Sequence, residues 1–249
     1  MNKAAKPTIV VATDKDHAAR CTADLIHEVV RENPSAVLGL ATGGTPVGVY
    51  RLLVERFQAS ELDFSDLTTF NLDEYVGVGP EHDQSYRYFM QQQLFDHVNV
   101  IPERTFVPNG LATDIEIHVD EYEKQIQQAG GIDLQLLGIG NNGHIAFNEP
   151  GSSIDSRTRQ VDLTENTIEA NSRFFKSAAE VPRHAITMGI GTILESRRIV
   201  LMATGESKAE VVQAAIEGSA DPTNPASLLQ GHAGLTFVLD PASAHKLRI

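Results

Sequence analysis

The residues best suited to proton transfer lie in a loop rich in glycine and asparagine. Residues 136–150 read LLGIGNNGHIAFNEP, an apolar run that opens into a loop carrying His144 and Glu149 with little else ionisable beside them. An imidazole titrates near neutral pH, and a neighbouring carboxylate can orient it or tune it. A lone loop histidine is more often structural or solvated, but the nearby carboxylate favours general acid–base catalysis.

A pair of adjacent carboxylates, Asp73 and Glu74, ends a second segment, FNLDEYV at 70–76. The segment begins as a strand, and the carboxyl end of a strand in an open α/β sheet faces the ligand crevice. We therefore expect one of the two acids to point into the crevice; the alternative is a turn with two solvated acids. Metal binding is a competing use of Asp73, His144 and Glu149. The sequence has no H-E-x-x-H helix or other compact ligand spacing, so we predict no metal.

A glycine-rich turn after the second predicted strand is a candidate phosphate cradle. Residues 37–46 read VLGLATGGTP, in which Thr42–Thr45 precede Pro46 at a predicted first helical position. Glycines let the backbone approach a ligand closely, and the start of a helix adds partial positive charge. The segment is neither a Walker loop nor a dinucleotide-binding fingerprint. A tight turn with no ligand is the alternative.

Two cations are candidates for neutralising a phosphate. Lys208 closes the segment GESK at 205–208, again between a strand and a helix, and Arg173 lies in NSRFF at 171–175. A guanidinium can bind a phosphate with two parallel hydrogen bonds. Taken alone, each cation would be interpreted as a solvated surface residue, and it is the coincidence of sites that favours binding.

Short β-branched runs alternate with helical patterns along the chain, which is typical of βαβ units around a mostly parallel sheet. The predicted fold is therefore α/β: a single-domain, Rossmann-like, mostly parallel sheet flanked by helices. Helices are predicted over 14–33, 46–58 and 208–217. The predicted strands are 8–12, 36–40, 67–71, 134–139, 199–203 and 235–239.

The composition limits the partners and the compartment. A chain of 249 residues, 41% hydrophobic and 21% charged, fits one globular domain over 1–249. A formal net charge of −13 argues against a nucleic-acid or anionic-membrane partner. Cys21 is the single cysteine, so an intrachain disulfide is excluded. Neither a signal sequence nor a membrane span is recognisable, and we expect a cytoplasmic protein.

Read in order, these segments resemble the glucosamine-6-phosphate deaminases, the glucosamine-6-phosphate isomerase family, over nearly the whole chain. The number of ordered matches makes chance an implausible explanation. The matching segments are LGLATGGTP at 38–46, FNLDEYVG at 70–77, SYRYFM at 85–90, LLGIGNNGHIAFNEPGSS at 136–153, SRTR at 156–159, NSRFF at 171–175, ITMGIGTIL at 186–194 and GESKAE at 205–210.

The resemblance implies that D-glucosamine 6-phosphate and water become D-fructose 6-phosphate and ammonia, without a cofactor, in amino-sugar catabolism. Asp73 matches the base that takes the C2 proton of the opened sugar and delivers it to C1. His144 matches the group that moves the proton on the ring oxygen, Glu149 its carboxylate partner, and Asn142 a third ring-opening residue. The residues that match the family's substrate and phosphate contacts are Thr42, Gly43, Gly44, Thr45, Arg173 and Lys208.

Two departures from the family pattern matter. Some members carry Asp where this chain has Asn142, and an amide can hold an imidazole but cannot stabilise an imidazolium as a carboxylate would. Allosteric members bind N-acetylglucosamine 6-phosphate through a cationic pair, of which Arg159 is present while Val161 replaces the matching Lys; the sequence also ends early, at Ile249. We therefore expect a non-allosteric enzyme and no hexamer, and we leave other homo-oligomers open.

Two rival functions share features with this one. A 6-phosphogluconolactonase has a similar fold and phosphate loop. The lactonases typically have the motifs D-E-R and D-G-H-T-A-S-L-F-P, whereas this chain has DEY at 73–75 and NGHIAFNE at 142–149. A sugar-phosphate-binding regulator would be expected to lack the base or to carry a DNA-binding extension. Asp73, His144 and Glu149 are all present, and the acidic charge argues against DNA.

Overall fold

The computed structural model describes residues 6–172, 175 and 180–248. These residues form a seven-stranded parallel sheet and a separate three-stranded antiparallel sheet. The strands are β1 (Thr8–Val11), β2 (Val37–Leu40), β3 (Thr68–Asn71), β4 (Asp73–Tyr75), β5 (Thr105–Phe106), β6 (Leu134–Leu137), β7 (Arg159–Asp162), β8 (His184–Thr187), β9 (Arg198–Ala203) and β10 (Leu235–Leu239).

The helices begin and end at residues whose chemistry favours a boundary. In the first helix, the Asp14 carboxylate accepts a hydrogen bond from the His17 amide at 2.7 Å, which caps the amino end, and Pro34 follows the last turn. The helices are α1 (Lys15–Glu32), α2 (Val47–Gln58), α3 (Tyr86–Gln93), α4 (Ile115–Gln128), α5 (Glu165–Ser172), α6 (Ile190–Leu194), α7 (Ala209–Glu217) and α8 (Pro241–Ala244).

The order of strands in the large sheet, β1-β10-β9-β6-β2-β3-β5, creates a crevice at its centre. From β2 the chain proceeds to β3 on one side, whereas from β6 the next strand of this sheet is β9 on the other side. Connections that leave two neighbouring strands in opposite directions open a gap beyond the strand ends, where α/β proteins bind ligands. The sheet therefore places its binding crevice after β2 and β6.

The small sheet, in the order β4-β8-β7, lies beside this crevice. The chain leaves the large sheet at Asn71 and enters the small one two residues later, where Asp73 pairs with Thr187 of β8. Leu72 stays attached to both sheets, because its amide donates to the Leu40 carbonyl and its own carbonyl accepts from the Met188 amide. Asp73 is thus held at the junction between the sheets.

The predicted fold class is confirmed: a single-domain α/β fold with a mostly parallel sheet flanked by helices. All six predicted strands and all three predicted helices are present, with ends shifted by at most two residues; Pro46, for example, precedes the first residue of α2. The small sheet was not predicted. Among the described residues, no helix is long and apolar enough to cross a membrane.

Candidate active site

A cavity of about 580 Å³ opens at the carboxyl ends of the four central strands. The turn after β2, the strand following β3, the loop after β6 and the turn after β9 each contribute side chains to it. Residues far apart in the sequence therefore meet because adjacent parallel strands end at one edge of the sheet. The lining residues include Thr42, Gly43, Gly44, Thr45, Asp73, Tyr86, Asn142, His144, Phe147, Thr167 and Lys208.

The turn at Thr42–Thr45 has backbone amides available for a ligand. Gly43 has a φ of +92°, a conformation that residues with a side chain rarely adopt, and this lets the chain turn tightly between β2 and α2. Among the described residues, no acceptor takes the amides of Gly43, Gly44 or Thr45. Unpaired amides at the start of a helix attract anions, so this turn can hold a phosphate.

Lys208 brings a positive charge to the same cavity. It ends a short 3₁₀ turn that follows β9, and burial lowers the pKa of its ammonium group. Its ammonium forms no ion pair with a carboxylate of the described residues, whereas the exposed Lys246 pairs with Glu210 at 3.2 Å. A half-buried, unpaired cation gains most from an anionic ligand.

Arg173, the other predicted phosphate contact, lies outside the described residues.

Asp73 presents a nearly inaccessible carboxylate to the cavity, with only 6% of its surface exposed. Burial, reinforced by the charge of Glu74, raises its pKa well above the usual range for an aspartate. No hydrogen-bond donor among the described residues reaches this carboxylate, so nothing in that part of the chain offsets the shift. A carboxylate with raised proton affinity is suited to taking a proton from carbon near neutral pH.

Glu74 points away from the cavity and is a structural residue. Successive side chains of a strand alternate between its faces, so only one of the two neighbouring acids can face the crevice. The Glu74 carboxylate accepts hydrogen bonds from the Ser85 hydroxyl at 2.7 Å and from the amides of Tyr86 and Arg87 at 3.0 and 3.1 Å. It therefore anchors the amino end of α3, and the alternative of two solvated acids was wrong.

His144, Glu149 and Asn142 form a connected group in the loop after β6. The His144 Nδ1 atom lies 3.5 Å from Glu149 Oε1, and Asn142 Nδ2 donates to Glu149 Oε2 at 2.7 Å. Asn142 Oδ1 also accepts the His144 amide at 3.2 Å. The separation between the imidazole and the carboxylate is long for a hydrogen bond, as is common before substrate binds.

The environment of Glu149 holds its carboxylate in the ionised form. Burial acts to raise its pKa, but His144, Thr167 and Asn142 together outweigh burial and lower the pKa to about 2. An ionised Glu149 keeps an oxygen facing His144 Nδ1 that can accept a hydrogen bond from the ring. The pair can accordingly exchange a proton with an oxygen atom in the cavity.

Gly140 provides the space into which the His144 ring packs. A Cβ atom at Gly140 would lie 2.2–2.4 Å from three atoms of the imidazole. A side chain at position 140 would therefore displace the His144 ring from its position.

The structure brings nearly all the predicted site residues together. Thr42, Gly43, Gly44, Thr45, Asp73, Asn142, His144 and Lys208 line the cavity, and Glu149 lies directly behind His144. The sequence interpretation did not identify the contributions of Tyr86, Phe147 and Thr167. An aromatic or threonine residue on a helix or in a loop carries no distinctive local pattern, so only the three-dimensional arrangement indicates its role.

In the described residues, no group of three or more His, Cys, Asp or Glu side chains is arranged to hold a metal ion. The chemistry available from these side chains is proton transfer at two places. One is the buried Asp73, and the other is the His144–Glu149 pair. Asp73 and His144 both face a cavity that is also lined by the glycine-rich turn at Thr42–Thr45 and by Lys208.

Acid–base side chains beside unpaired amides at a helix start, in an open parallel sheet, are the features of an enzyme that acts on a small anionic substrate. More specifically, the chain belongs to the family described as glucosamine-6-phosphate isomerases/6-phosphogluconolactonase, whose model matches residues 13–238.

Relatives with the deaminase name are similar over nearly their full length. A glucosamine-6-phosphate deaminase of Rhodopirellula baltica is 56% identical over 239 residues, covering 96% of this chain and 95% of that protein. One from Thermoanaerobacter pseudethanolicus is 48% identical over 236 residues, covering 95% and 93%. The solved structure of a monomeric glucosamine-6-phosphate deaminase superposes with a TM-score of 0.93 at 44% identity, covering 96% of this chain and 99% of that one.

The lactonases share the architecture. A 6-phosphogluconolactonase from Trypanosoma brucei superposes with a TM-score of 0.79 at 22% identity, covering 97% of this chain and 99% of that one. At this identity the likeness shows the fold alone.

Proposed function

We propose that this chain converts D-glucosamine 6-phosphate and water into D-fructose 6-phosphate and ammonia, as a cofactor-independent deaminating isomerase of amino-sugar catabolism. One observation carries the proposal: the buried Asp73 and the His144–Glu149 pair line or adjoin one cavity that also holds a phosphate cradle. The reaction needs two separate proton transfers and an anchored phosphate. The names of the relatives at 48–56% identity agree with it.

The phosphate of the substrate is bound by the amides of the Thr42–Thr45 turn and by Lys208. We assign Arg173 to the same phosphate from the family resemblance. This end of the sugar does not react, so its binding serves to orient C1, C2 and the ring oxygen against the catalytic groups. The phosphate turn and the catalytic carboxylates are far apart in the sequence, so the orientation of the substrate against them depends on the fold.

His144 opens the ring. It takes the proton of the C1 hydroxyl and delivers a proton to the ring oxygen as the C1–O5 bond breaks, which leaves an aldehyde at C1. Glu149 stabilises the imidazolium formed in between, and Asn142 holds Glu149 in place through its amide. Because Asn142 is uncharged, Glu149 is the only carboxylate of this group.

Asp73 then isomerises the open sugar. Its carboxylate takes the proton from C2 and returns a proton to C1, while O1 gains a proton and the C2 ammonium group loses one, so the C1 aldehyde becomes an alcohol and the C2 ammonium becomes an iminium. Water adds at C2, and the amine leaves as ammonia to give the 2-ketose. The atoms balance with one water consumed and one ammonia released.

The test is to incubate the purified protein with D-glucosamine 6-phosphate and to measure ammonia and D-fructose 6-phosphate together. Equal amounts of the two products are expected. The family also contains lactonases, so 6-phosphogluconolactone is assayed in parallel and is expected to be hydrolysed no faster than in buffer. Lactone hydrolysis without release of ammonia would contradict the proposal.

We further propose that residues 1–249 act as one catalytic domain in the cytoplasm, with the sugar phosphate as the partner and no nucleic acid or membrane. The acidic composition and the single Cys21 support this proposal. Oligomeric state is a separate question; one solved relative at 44% identity is described as monomeric.

A further inference from the structure

We infer that Thr167 is a positioning residue for Glu149: its hydroxyl holds the carboxylate in the orientation that serves His144. This inference rests on the proposed function, since it concerns how the ring-opening group is held. Thr167 lies on α5, outside the loop that carries the other members of the group.

The geometry of the hydroxyl is specific. Thr167 Oγ1 donates to Glu149 Oε1 at 2.7 Å, and this is the same oxygen that faces His144 Nδ1 at 3.5 Å. The other oxygen, Oε2, accepts from Asn142 Nδ2 at 2.7 Å. The carboxylate is therefore fixed at both oxygens, by Asn142 from its own loop and by Thr167 from α5.

The direction of the Thr167 hydroxyl is also determined. The Thr164 hydroxyl donates to Thr167 Oγ1 at 3.0 Å, so the single proton of Thr167 is directed at Glu149. A carboxylate held by an oriented hydroxyl cannot rotate away from the imidazole without losing a charge-assisted hydrogen bond.

The helix α5 does not need the Thr167 hydroxyl for its own stability. At the start of the helix, it is Thr164 Oγ1 that accepts the Thr167 amide at 3.2 Å, so the helix end is capped by Thr164. The Thr167 side chain is mostly buried and lines the cavity. Its hydroxyl is thus free to serve the catalytic group.

The experiment compares Thr167→Val, which removes the hydroxyl at nearly constant volume, with Thr167→Ser, which keeps it. Two quantities are measured: kcat and KM for D-glucosamine 6-phosphate, and the pKa of the Glu149 carboxyl by ¹³C NMR, with Glu149→Gln to assign the signal. Among the described residues, His144 is the titratable group beside Glu149, and Asp73 and Lys208 line the cavity that His144 faces. None of them is altered by either substitution.

For Thr167→Val we expect kcat to fall roughly tenfold with little change in KM, and the pKa of Glu149 to rise, because one donor to the ionised form is lost. Thr167→Ser should keep both close to the values of the unmodified protein. A matched control is Thr192→Val, which removes a threonine hydroxyl from another half-buried carboxylate, Glu123, outside the cavity. Its kcat and the pKa of Glu149 should be unchanged.

Equal impairment in Thr167→Ser and Thr167→Val would show that the hydroxyl is not what matters and would overturn the inference, as would an unaltered pKa and kcat in Thr167→Val. If Thr167→Val does not fold, Thr167→Ala takes its place in the same comparison. The NMR titration does not require turnover. If the unmodified protein is inactive, the proposed function is refuted. The titration of Glu149 still decides whether Thr167 holds this carboxylate.

Discussion

At the scale of single residues, the neighbouring acids Asp73 and Glu74 show how environment separates two identical chemical groups. Both carboxylates are buried, but Glu74 accepts four hydrogen bonds, three of them at the start of α3, whereas none reaches Asp73 from the described residues. A buried carboxylate without donors is held at a cost to folding. Such a residue is expected where its reactivity is needed.

Replacing Asp73 by Asn should therefore remove activity and increase stability. We expect kcat to fall about 10²–10⁴-fold, the usual contribution of a general base. The folded-state pKa of Asp73 is raised, so the unfolded chain ionises first as pH rises from about 3.8, and this ionisation favours unfolding. Asparagine does not ionise, so the free energy of unfolding of Asp73→Asn should exceed that of the unmodified protein by about 1–2 kcal/mol at pH 8.

The difference in the free energy of unfolding between Asp73→Asn and the unmodified protein should shrink as pH falls towards the unfolded-state pKa of Asp73. The unfolded chain then carries less and less of the ionised carboxylate. Urea unfolding of the two proteins at pH 8 and pH 4 measures it. A variant that is inactive and also less stable at pH 8 would indicate that Asp73 contributes to the fold instead.

Lys208 should act on binding more than on chemistry. Lys208→Met removes the ammonium group but keeps an unbranched side chain, and we expect KM to rise about 10–100-fold with a smaller change in kcat, as a charged hydrogen bond to the phosphate is lost. Lys246→Met, at the exposed pair with Glu210, is the control and should leave KM unchanged. Steady-state kinetics that give both variants the same KM would remove Lys208 from the phosphate site.

At the scale of elements, the catalytic groups depend on the turn or loop at the carboxyl end of each parallel strand. Most of this arrangement can be predicted from sequence, because apolar runs ending in glycine-rich turns mark the strands that were found. The small sheet could not be predicted in the same way. Two of its strands are largely polar, β4 with the sequence DEY and β7 with the sequence RQVD, so tertiary pairing and not local preference forms these strands.

The site was predictable to a similar degree and for a related reason. Residues in the glycine-rich loops, such as His144 and Lys208, belong to recognisable segments. Which of Asp73 and Glu74 faces the cavity depends on the change of sheet at Leu72, and Thr167 comes from a helix that has no sequence pattern linking it to Glu149. Both features depend on contacts between residues far apart in the sequence, so they can be seen only in the folded structure.

The phosphate turn allows a matched test of its backbone. Gly43 has a φ of +92°, while Gly44 has an ordinary φ, and an added Cβ would meet no atom within 4 Å at either position. Steric crowding is thus absent and only backbone conformation differs. Gly43→Ala should lower the free energy of unfolding by about 1–2 kcal/mol, the cost of a left-handed alanine, whereas Gly44→Ala should not lower it.

Chemical unfolding of the two variants side by side measures this difference. Equal destabilisation of Gly43→Ala and Gly44→Ala would show that the turn does not need the left-handed conformation.

At the scale of the whole molecule, Glu123 of α4 connects elements around the small sheet. It accepts hydrogen bonds from Arg157 Nη2 at 2.6 Å, from the amide and hydroxyl of Thr158 just before β7, and from the Thr192 hydroxyl of α6 at 2.6 Å. Burial acts against ionisation, but these donors outweigh it and lower the pKa of Glu123. The Glu123 carboxylate thus links α4 both to α6 and to the residues just before β7.

Glu123→Gln should lower the free energy of unfolding by about 2 kcal/mol at pH 7, through loss of charge-assisted hydrogen bonds. Because the folded-state pKa is lowered, this contribution is present above about pH 4.5 and is lost as pH falls through the lower folded value. The two proteins should therefore converge in acid. Glu195→Gln is the control. Glu195 is exposed and pairs with the same Arg157 that contacts Glu123, and its substitution should change the free energy of unfolding by less than about 1 kcal/mol. A difference that is independent of pH would contradict this account.

The most direct test of the whole account follows a single proton. D-glucosamine 6-phosphate is converted in ²H₂O, and the D-fructose 6-phosphate is examined by NMR for deuterium at C1. A single carboxylate acting from one face of the open sugar predicts label in only one of the two C1 hydrogen positions. It also predicts that labelled product forms about 10²–10⁴-fold more slowly with Asp73→Asn. Label in both C1 positions, or an unchanged rate of labelling in Asp73→Asn, would contradict the assignment of Asp73 as the base.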